Sequence, residues 1–318
     1  MYYVGIDLGG TNFAVGICNE NYEIVARGEG KTNAPRPYEE LCADMAKLTK
    51  QVVADAGISM DEIQWIGIGS PGAIEAKTGE IVYANNLGYV HAQMGAEMKR
   101  LTGKDIYIEN DANAAAYGEA VAGAAKGTKV SVTVTLGTGV GGGIIIDGKV
   151  FSGWNSFGAE LGHTVIVKDG RPCSCGRKGC WEAYASVSGL IYQSKMAMID
   201  HPESVMWEIV DGDISQVNGR TAFDAMRKGD KVGKAVCDQY IEYVACGAAN
   251  VINIFQPEVL VFGGGISKEG ETLLAPMRPL IQEFDYARFG GKQTKIVAAK
   301  LGRDAGIIGA AFLGRSMQ

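Results

Sequence analysis

Val4-Gly-Ile-Asp7-Leu-Gly9-Gly10-Thr11-Asn12-Phe-Ala-Val-Gly-Ile-Cys18 and Val130-Ser-Val-Thr-Val-Thr135-Leu-Gly137-Thr138-Gly139-Val-Gly-Gly-Gly-Ile-Ile-Ile146 follow one plan. Each is an apolar strand, a glycine turn and a second apolar strand. The first copy then meets a polar turn at Asn19-Glu20-Asn21, and the second closes on Asp147-Gly148, a hairpin signal. Laying Asp7 on Thr135 keeps the glycine turns and the later hairpin turns in register. A duplicated strand–turn–strand predicts two similar halves, each offering backbone N–H groups to a ligand held between them.

Beyond each hairpin region the pattern becomes α/β. Tyr38 to Ala56 reads as a helix, with Leu41, Met45, Leu48 and Val52 at three- and four-residue spacing. Ile63 to Gly69 is a buried strand entering the turn Ser70-Pro71-Gly72. Ile106 to Glu109 is a strand ending at Asn110-Asp111, followed by a helix over Ala112 to Ala125. Val232 to Phe255 is a long helix, Val259 to Phe262 a strand, Gly263-Gly264-Gly265 a turn, and Ala305 to Leu313 a closing helix. At 318 residues, two domains are expected. The boundary is placed near Tyr117: a small α/β lobe of residues 1–117 plus 301–318, and a large α/β lobe of residues 118–300. Met196 to Val217 reads either as a helix pair or as a loop, and Lys31 to Pro37 as a candidate lid.

Apolar residues make up 47% of the chain and charged residues 21%, ordinary values for a globular protein. Net charge is −6 with no basic block, which argues against nucleic acid and anionic membranes as partners. The chain enters a strand directly, and no apolar run approaches the ~18 residues of a membrane span. Cys18, Cys42, Cys237 and Cys246 lie in apolar contexts and read as reduced core thiols, so a cytoplasmic location is expected. The 45 glycines against 8 prolines are assigned to tight loops around ligands.

A second motif is chemical. His163, Cys173, Cys175 and Cys180 fall in one short segment of a chain with 7 Cys and 3 His. Three thiolates and an imidazole are the ligand set of a closed tetrahedral zinc site. Glu160 and Glu182 lie in the same segment, so a metal that folds it also places two carboxylates.

Gly137-Thr-Gly139-Val-Gly-Gly142 matches the dinucleotide pattern G-x-G-x-x-G, but that fingerprint requires a helix after the glycines. Ile144-Ile-Ile-Asp-Gly148 is instead a hairpin, which leaves a phosphate-binding turn in a strand–turn–strand setting. Asp7, at a strand end beside Gly9-Gly10-Thr11-Asn12, suits Mg²⁺ held beside phosphates, directly or through water. It would equally cap an ordinary hairpin turn. Asp111 follows a strand and opens a helix, where Asp is a common N-cap. It also lies at a strand C-terminus, where α/β folds place ligands. A carboxylate there can take the proton of a hydroxyl during phosphoryl transfer. Gly264-Gly265 after a buried strand permits close approach of a flat ligand such as adenine.

With these residues the chain resembles the ROK family (repressor, open reading frame, kinase), most closely its bacterial glucokinases. The resemblance runs from Asp7-Leu-Gly-Gly-Thr11 to Asp304-Ala-Gly-Ile-Ile-Gly-Ala310. It is carried most specifically by Cys173-Ser-Cys-Gly-Arg-Lys-Gly-Cys180-Trp-Glu182, with support from Gly158-Ala-Glu-Leu-Gly-His163 and Glu109-Asn-Asp-Ala-Asn113. It implies an α/β fold, the duplicated ribonuclease-H-like architecture of actin and hexokinase, two-lobed with an interdomain cleft. It implies an ATP-dependent hexose kinase with Asp111 as general base on the sugar 6-hydroxyl. Asn110, Glu160, His163 and Glu182 would bind the other hydroxyls, with Gly72 and Asn86 completing the sugar floor. Asp7, Gly9, Gly10, Thr11, Asn12, Gly137, Thr138 and Gly139 would cradle the phosphates, and Gly264-Gly265 would border the adenosine. His163 would have one ring nitrogen on zinc and the other on the sugar. Zinc would be structural, Mg²⁺ would accompany ATP, and the protein would be a homodimer.

Glucose is the favoured hexose. N-acetylmannosamine, N-acetylglucosamine, fructose and allose are rivals, because pockets of this kind discriminate by small rearrangements. A non-catalytic sugar sensor is disfavoured by the intact Asp111 and both phosphate turns. The repressor branch carries a helix-turn-helix ahead of the kinase-like part; with the first glycine motif beginning at Asp7, a repressor is not the expectation.

Overall fold

The first glycine motif forms β1 (Tyr2–Leu8) and β2 (Asn12–Asn19), antiparallel, with Asp7 opposite Ala14. These come from a computed structural model that describes residues 1–317; Gln318, the end of the expected small lobe, lies outside the described residues. β3 (Ile24–Lys31) pairs antiparallel with β2 and leads into α1 (Tyr38–Asp55). β4 (Ile63–Ser70) then returns parallel to β1. A small antiparallel sheet follows, β5 (Ala73–Glu75), β6 (Glu80–Ala84) and β7 (Tyr89–Ala92). After α2 (Met94–Thr102), β8 (Ile106–Asn110) adds parallel to β4, giving the order β3-β2-β1-β4-β8. α3 (Asp111–Val121) begins where β8 ends.

The second motif forms β9 (Val130–Leu136) and β10 (Val140–Ile146), then β11 (Lys149–Val150). After them come α4 (Glu182–Ala185), α5 (Val187–Asp200), α6 (Val205–Ile209), α7 (Thr221–Arg227) and α8 (Lys231–Phe255). β12 (Val259–Gly263), α9 (Glu271–Phe284), β13 (Lys295–Ala298) and α10 (Asp304–Met317) complete the chain. The second sheet runs β11-β10-β9-β12-β13, the order of the first repeated strand for strand. β1 and β9 share the same alternation of buried and half-buried positions, Tyr2 matching Val130 and Leu8 matching Leu136. That is the register obtained by laying Asp7 on Thr135. This is the duplicated ribonuclease-H-like α/β fold.

β1 is apolar on both faces, as a covered central strand must be. Val4, Ile6 and Leu8 join a core with Leu41, Met45 and Val52 of α1 and Met94 and Met98 of α2. Tyr3 enters a second cluster with Tyr117 of α3 and Ile307 and Phe312 of α10. On that face Gly5 partners Gly16 and Gly67 across three strands. A Cβ on Gly5 would stand 1.9 Å from Ile307 O, and one on Gly67 would stand 1.7 Å from Ala310 O. Gly309 of α10 meets Ala114 O of α3 in the same way, at 1.7 Å. The glycine surplus is thus only partly a matter of ligand loops. Much of it lets α10 lie with its backbone directly on the sheet and on α3.

That packing shapes the compact units. One comprises Met1–Thr133, Gly142–Ala159 and Ala299–Gln318, the other Val134–Gly141 and Glu160–Ala298. Where the sequence reading divided the chain at Tyr117, residues 118–133 and 142–159 are grouped with the first unit. Glu119 explains part of this: its buried carboxylate accepts from Lys300 N and Leu301 N at 2.8–3.2 Å, tying α3 to the segment before α10. The same side chain takes Ala124 N at 2.7 Å, where α3 has already ended, four residues short of the expected Ala125. Met196 to Val217 holds the end of α5, α6 and a single 3₁₀ turn at Ile214–Gln216. Among the described residues, no helix is long and apolar enough to cross a membrane.

Candidate active site

In the first unit the glycine turn is closed by Gly9 N donating to Asn12 O at 2.9 Å. Thr32, fully buried, backs it: its hydroxyl donates to Gly9 O at 2.7 Å and its N–H to Thr11 O at 3.0 Å. The segment read as a lid is therefore anchored to the phosphate turn at its first residues. Lys31 Nζ donates to Asn12 Oδ1 at 2.8 Å. Asn86 abuts the turn, since a Cβ on Gly10 would meet Asn86 Cβ at 3.6 Å.

Asp7 and Asp111 end β1 and begin α3, and both are half-buried. Burial, and then the negative charge of Asp111, push the Asp7 carboxyl up to about 6. Burial likewise raises Asp111, against the lowering effect of backbone N–H donation to it. The helix cap is not Asp111 but Asn110, whose Oδ1 accepts from Ala112 N at 2.9 Å and Asn113 N at 3.3 Å. Asp111 Oδ1 also accepts from Ala112 N at 2.9 Å, while the cap position itself belongs to Asn110. The amide of Asn110 donates to Gly72 O at 3.1 Å, bringing two of the expected sugar-floor residues together. Gly72 has φ +101°, and a side chain there would run into Tyr83 O.

In the second unit, Gly137 N donates to Gly139 O at 3.0 Å, and the turn is held from behind. Val187 N donates to Gly137 O and the Ser188 hydroxyl to Thr138 O, both at 2.8 Å. Glu182, the first residue of α4, accepts from Val140 N at 3.1 Å and from the Ser174 hydroxyl at 3.1 Å. It links the phosphate turn to the cysteine-rich loop. Thr138, Gly139, Cys173, Ser174 and Glu182 line one cavity of about 520 Å³. Val187, Gly219, Arg220, Gly265, Ile266 and Lys268 line another of about 510 Å³. Gly264, at φ +87°, packs so tightly on β9 that a Cβ would lie 2.4 Å from Leu136 O.

His163, Cys173, Cys175 and Cys180 bring their ligand atoms within 4.8 Å of one another. Zinc bonds sulfur at ~2.3 Å and nitrogen at ~2.0–2.1 Å, so its tetrahedral ligand atoms stand about 3.6–3.8 Å apart. Cys173 Sγ lies 3.7 Å from His163 Nδ1, and Cys175 Sγ 3.6 Å from Cys180 Sγ. The donor set and its spacing fit zinc. The other ring nitrogen, Nε2, faces Glu160 at 4.0 Å. Arg177 donates to His163 O, and Cys173 N bonds Arg177 O at 2.8 Å, folding the loop on itself.

Some of the site's supports were not read from the sequence. Trp181, fully buried, pins the metal loop to α8 by donating to Tyr243 O at 2.8 Å and packing on Gly247. Glu109 and Ser152 support the Asn110–Asp111 elbow, and Thr32 supports the first glycine turn. For Glu109 and Ser152 the signal was a polar residue beside an apolar run; Thr32, in a polar stretch, gave none.

A model of the ROK family matches residues 3–316. A glucokinase of Thermotoga maritima is 35% identical over 311 residues, spanning 98% of this chain and 96% of that one. An N-acetyl-D-glucosamine kinase of Aliivibrio fischeri is 30% identical, spanning 98% and 99%. The crystal structure of a ROK family glucokinase from Streptomyces griseus, in complex with glucose and AMPPNP, superposes with a TM-score of 0.81. It shares 32% identity, and 99% of each chain is covered.

Proposed function

Because this chain belongs to the ROK family, we propose that it is an ATP-dependent glucokinase with Asp111 as its general base. The observation that carries this reading is Asp111 itself. It is a half-buried carboxylate with raised proton affinity, just beyond the C-terminal end of a parallel strand, next to the N-cap Asn110. Burial strengthens its hold on a proton, which suits a general base. The 6-hydroxyl oxygen bonds the γ-phosphorus as the bond to the ADP oxygen breaks. The hydroxyl proton passes late to Asp111, because the transition state is loose.

The turns of Gly9, Gly10, Thr11 and Asn12 and of Gly137, Thr138 and Gly139 cradle the phosphates, and Gly264 and Gly265 border the adenosine. Asp7 is a half-buried hard oxygen donor beside the charge of Asp111, a crowding of negative charge that a divalent cation relieves, which fits Mg²⁺. Asp7 would hold that ion directly or through water, and the ion supplies charge neutralisation on the phosphates. Glu160, His163, Glu182, Asn110, Gly72 and Asn86 bind the sugar. His163, Cys173, Cys175 and Cys180 would hold a structural zinc that sets the direction of the imidazole and of both glutamates.

The test is ADP release from ATP and Mg²⁺ with a panel of hexoses. Glucose should give the highest kcat/KM. Asp111→Asn should lose about 10²–10⁴-fold in kcat while still binding glucose. Near-wild-type turnover in that variant would remove the base assignment. A second reading, a kinase for an N-acetylated hexose, draws on the N-acetyl-D-glucosamine kinase relative; the same panel decides it. The homodimer is a further part of the proposal, checked by light scattering.

A further inference from the structure

Glu109 is an acid among apolar residues, the last side chain before the Asn110–Asp111 elbow. It is 2% exposed, and both its oxygens are engaged. Oε1 accepts from Asn110 N at 2.8 Å and from Asn113 Nδ2 at 3.0 Å. Oε2 accepts from the Ser152 hydroxyl at 2.7 Å. A buried carboxylate is tolerated only when donors of this kind surround it. These donors come from two places: the elbow that carries the proposed base, and a loop 43 residues further along the chain.

That loop is built on Ser152. Gly158 N donates to Ser152 O at 2.8 Å, closing residues 152–158 at their root. Ser156 and Ala159 hold left-handed φ values of 62° and 65°, a conformation that costs non-glycine residues of order 1 kcal/mol or more each. Strained residues persist only where the surroundings over-determine the backbone. The loop exposes Trp154 and Phe157, so apolar packing does little to hold it. Its root is held by the Ser152–Glu109 bond. In sequence the loop runs straight into Glu160 and His163.

We infer that Glu109 is a positioning residue for the transfer reaction. It is a single carboxylate that clamps the root of the 152–158 loop to the elbow of Asp111 and so fixes the start of the segment that leads into Glu160. The inference rests on the kinase reading above. The clamp works through hydrogen bonds, which separates it from a mere buried charge. Glu109→Gln keeps an acceptor for Asn110 N and Asn113 Nδ2, and its amide can donate to Ser152. Glu109→Ala removes all three bonds. Ser152→Ala cuts the clamp and leaves the elbow intact.

Full-length wild type and the three variants are compared by steady-state kinetics in both substrates, by calorimetric binding of glucose, and by thermal unfolding. Ser152→Ala should raise the KM and the dissociation constant for glucose about tenfold, with KM for ATP within about twofold of wild type. Glu109→Ala should also lower kcat, by about 10²-fold, and Glu109→Gln should recover most of that loss. A residue of purely structural importance would lower the melting temperature and leave the glucose and ATP constants together. Glucose constants within twofold of wild type in folded Ser152→Ala overturn the clamp, as does a Gln variant no better than Ala. If Glu109→Ala fails to fold, Ser152→Ala and Glu109→Gln still decide. Wild type that binds glucose without turning it over refutes the kinase reading, and the binding constants of the variants then judge the clamp alone. Wild type that does not bind glucose refutes the glucokinase reading, and the same comparison on the hexose that the panel selects then judges the clamp.

Discussion

Replacing Asp7 with Asn should stabilise the protein while destroying its activity. The Asp7 carboxyl, half-buried and facing the charge of Asp111, ionises near 6 instead of near 3.8. One pH unit of such displacement corresponds to about 1.4 kcal/mol, so the ionised carboxylate costs the folded state up to about 3 kcal/mol. Partial exposure makes that an upper bound. The sign follows from proton binding. Below 3.8 the group is protonated in both folded and unfolded chains, so nothing is lost. Between 3.8 and about 6 the folded state holds more protons than the unfolded one, and stability falls as pH rises. Above about 6 the full penalty is present. Asn is nearly isosteric and carries no charge, so Asp7→Asn should gain roughly 1–3 kcal/mol at pH 8. The gain should vanish near pH 4. Urea unfolding at both pH values, without Mg²⁺ or ATP, measures it. Equal or lower stability of the variant at pH 8, or a gain that does not depend on pH, would refute the electrostatic account of this site.

The other expectations are shorter. The acid limb of kcat/KM should lie above the ordinary carboxylate range, because Asp111 must be ionised to act and burial raises its proton affinity; a limb at or below about pH 4 contradicts this. Freshly purified protein should contain close to one zinc per chain by elemental analysis. Cys175→Ser should lose the metal and expose the 160–182 loop to hydrogen exchange. Trp181→Ala should cost about 3–5 kcal/mol in denaturant unfolding and weaken zinc retention, since the ring is fully buried and ties the metal loop to α8. Gly67→Ala should destabilise by about 1–3 kcal/mol or more without touching any ligand group, because its methyl would collide with Ala310 O. A neutral result there would undo the close-approach argument for α10.

The duplicated fold was legible because its signal is local. Strand–turn–strand periodicity and hairpin chemistry repeat at one offset, and β1 and β9 bury the same positions. The clustering of His163 with three cysteines was legible for a similar reason: thiolates and imidazole this close in sequence have few common roles besides holding a metal. Gly5, Gly67 and Gly309 misled, since a glycine in a strand or helix looks the same whether it serves a ligand or a neighbouring backbone. At Asp111 the sequence allowed either a cap or a base, and the structure gives the N-cap position to Asn110.

What the sequence determined by itself was the order and repetition of elements, the glycine turns, the ligand set and the carboxylates available for chemistry. These depend on period, spacing and side-chain type, which a linear string records. The tertiary structure alone decided that Glu109 reaches Ser152, that Glu119 holds the chain before α10, and that Asp7 and Asp111 share one electrostatic environment. Those facts depend on which distant segments meet and how much water they exclude. Hydrogen bonds and proton affinities follow from that meeting, and no local pattern encodes it.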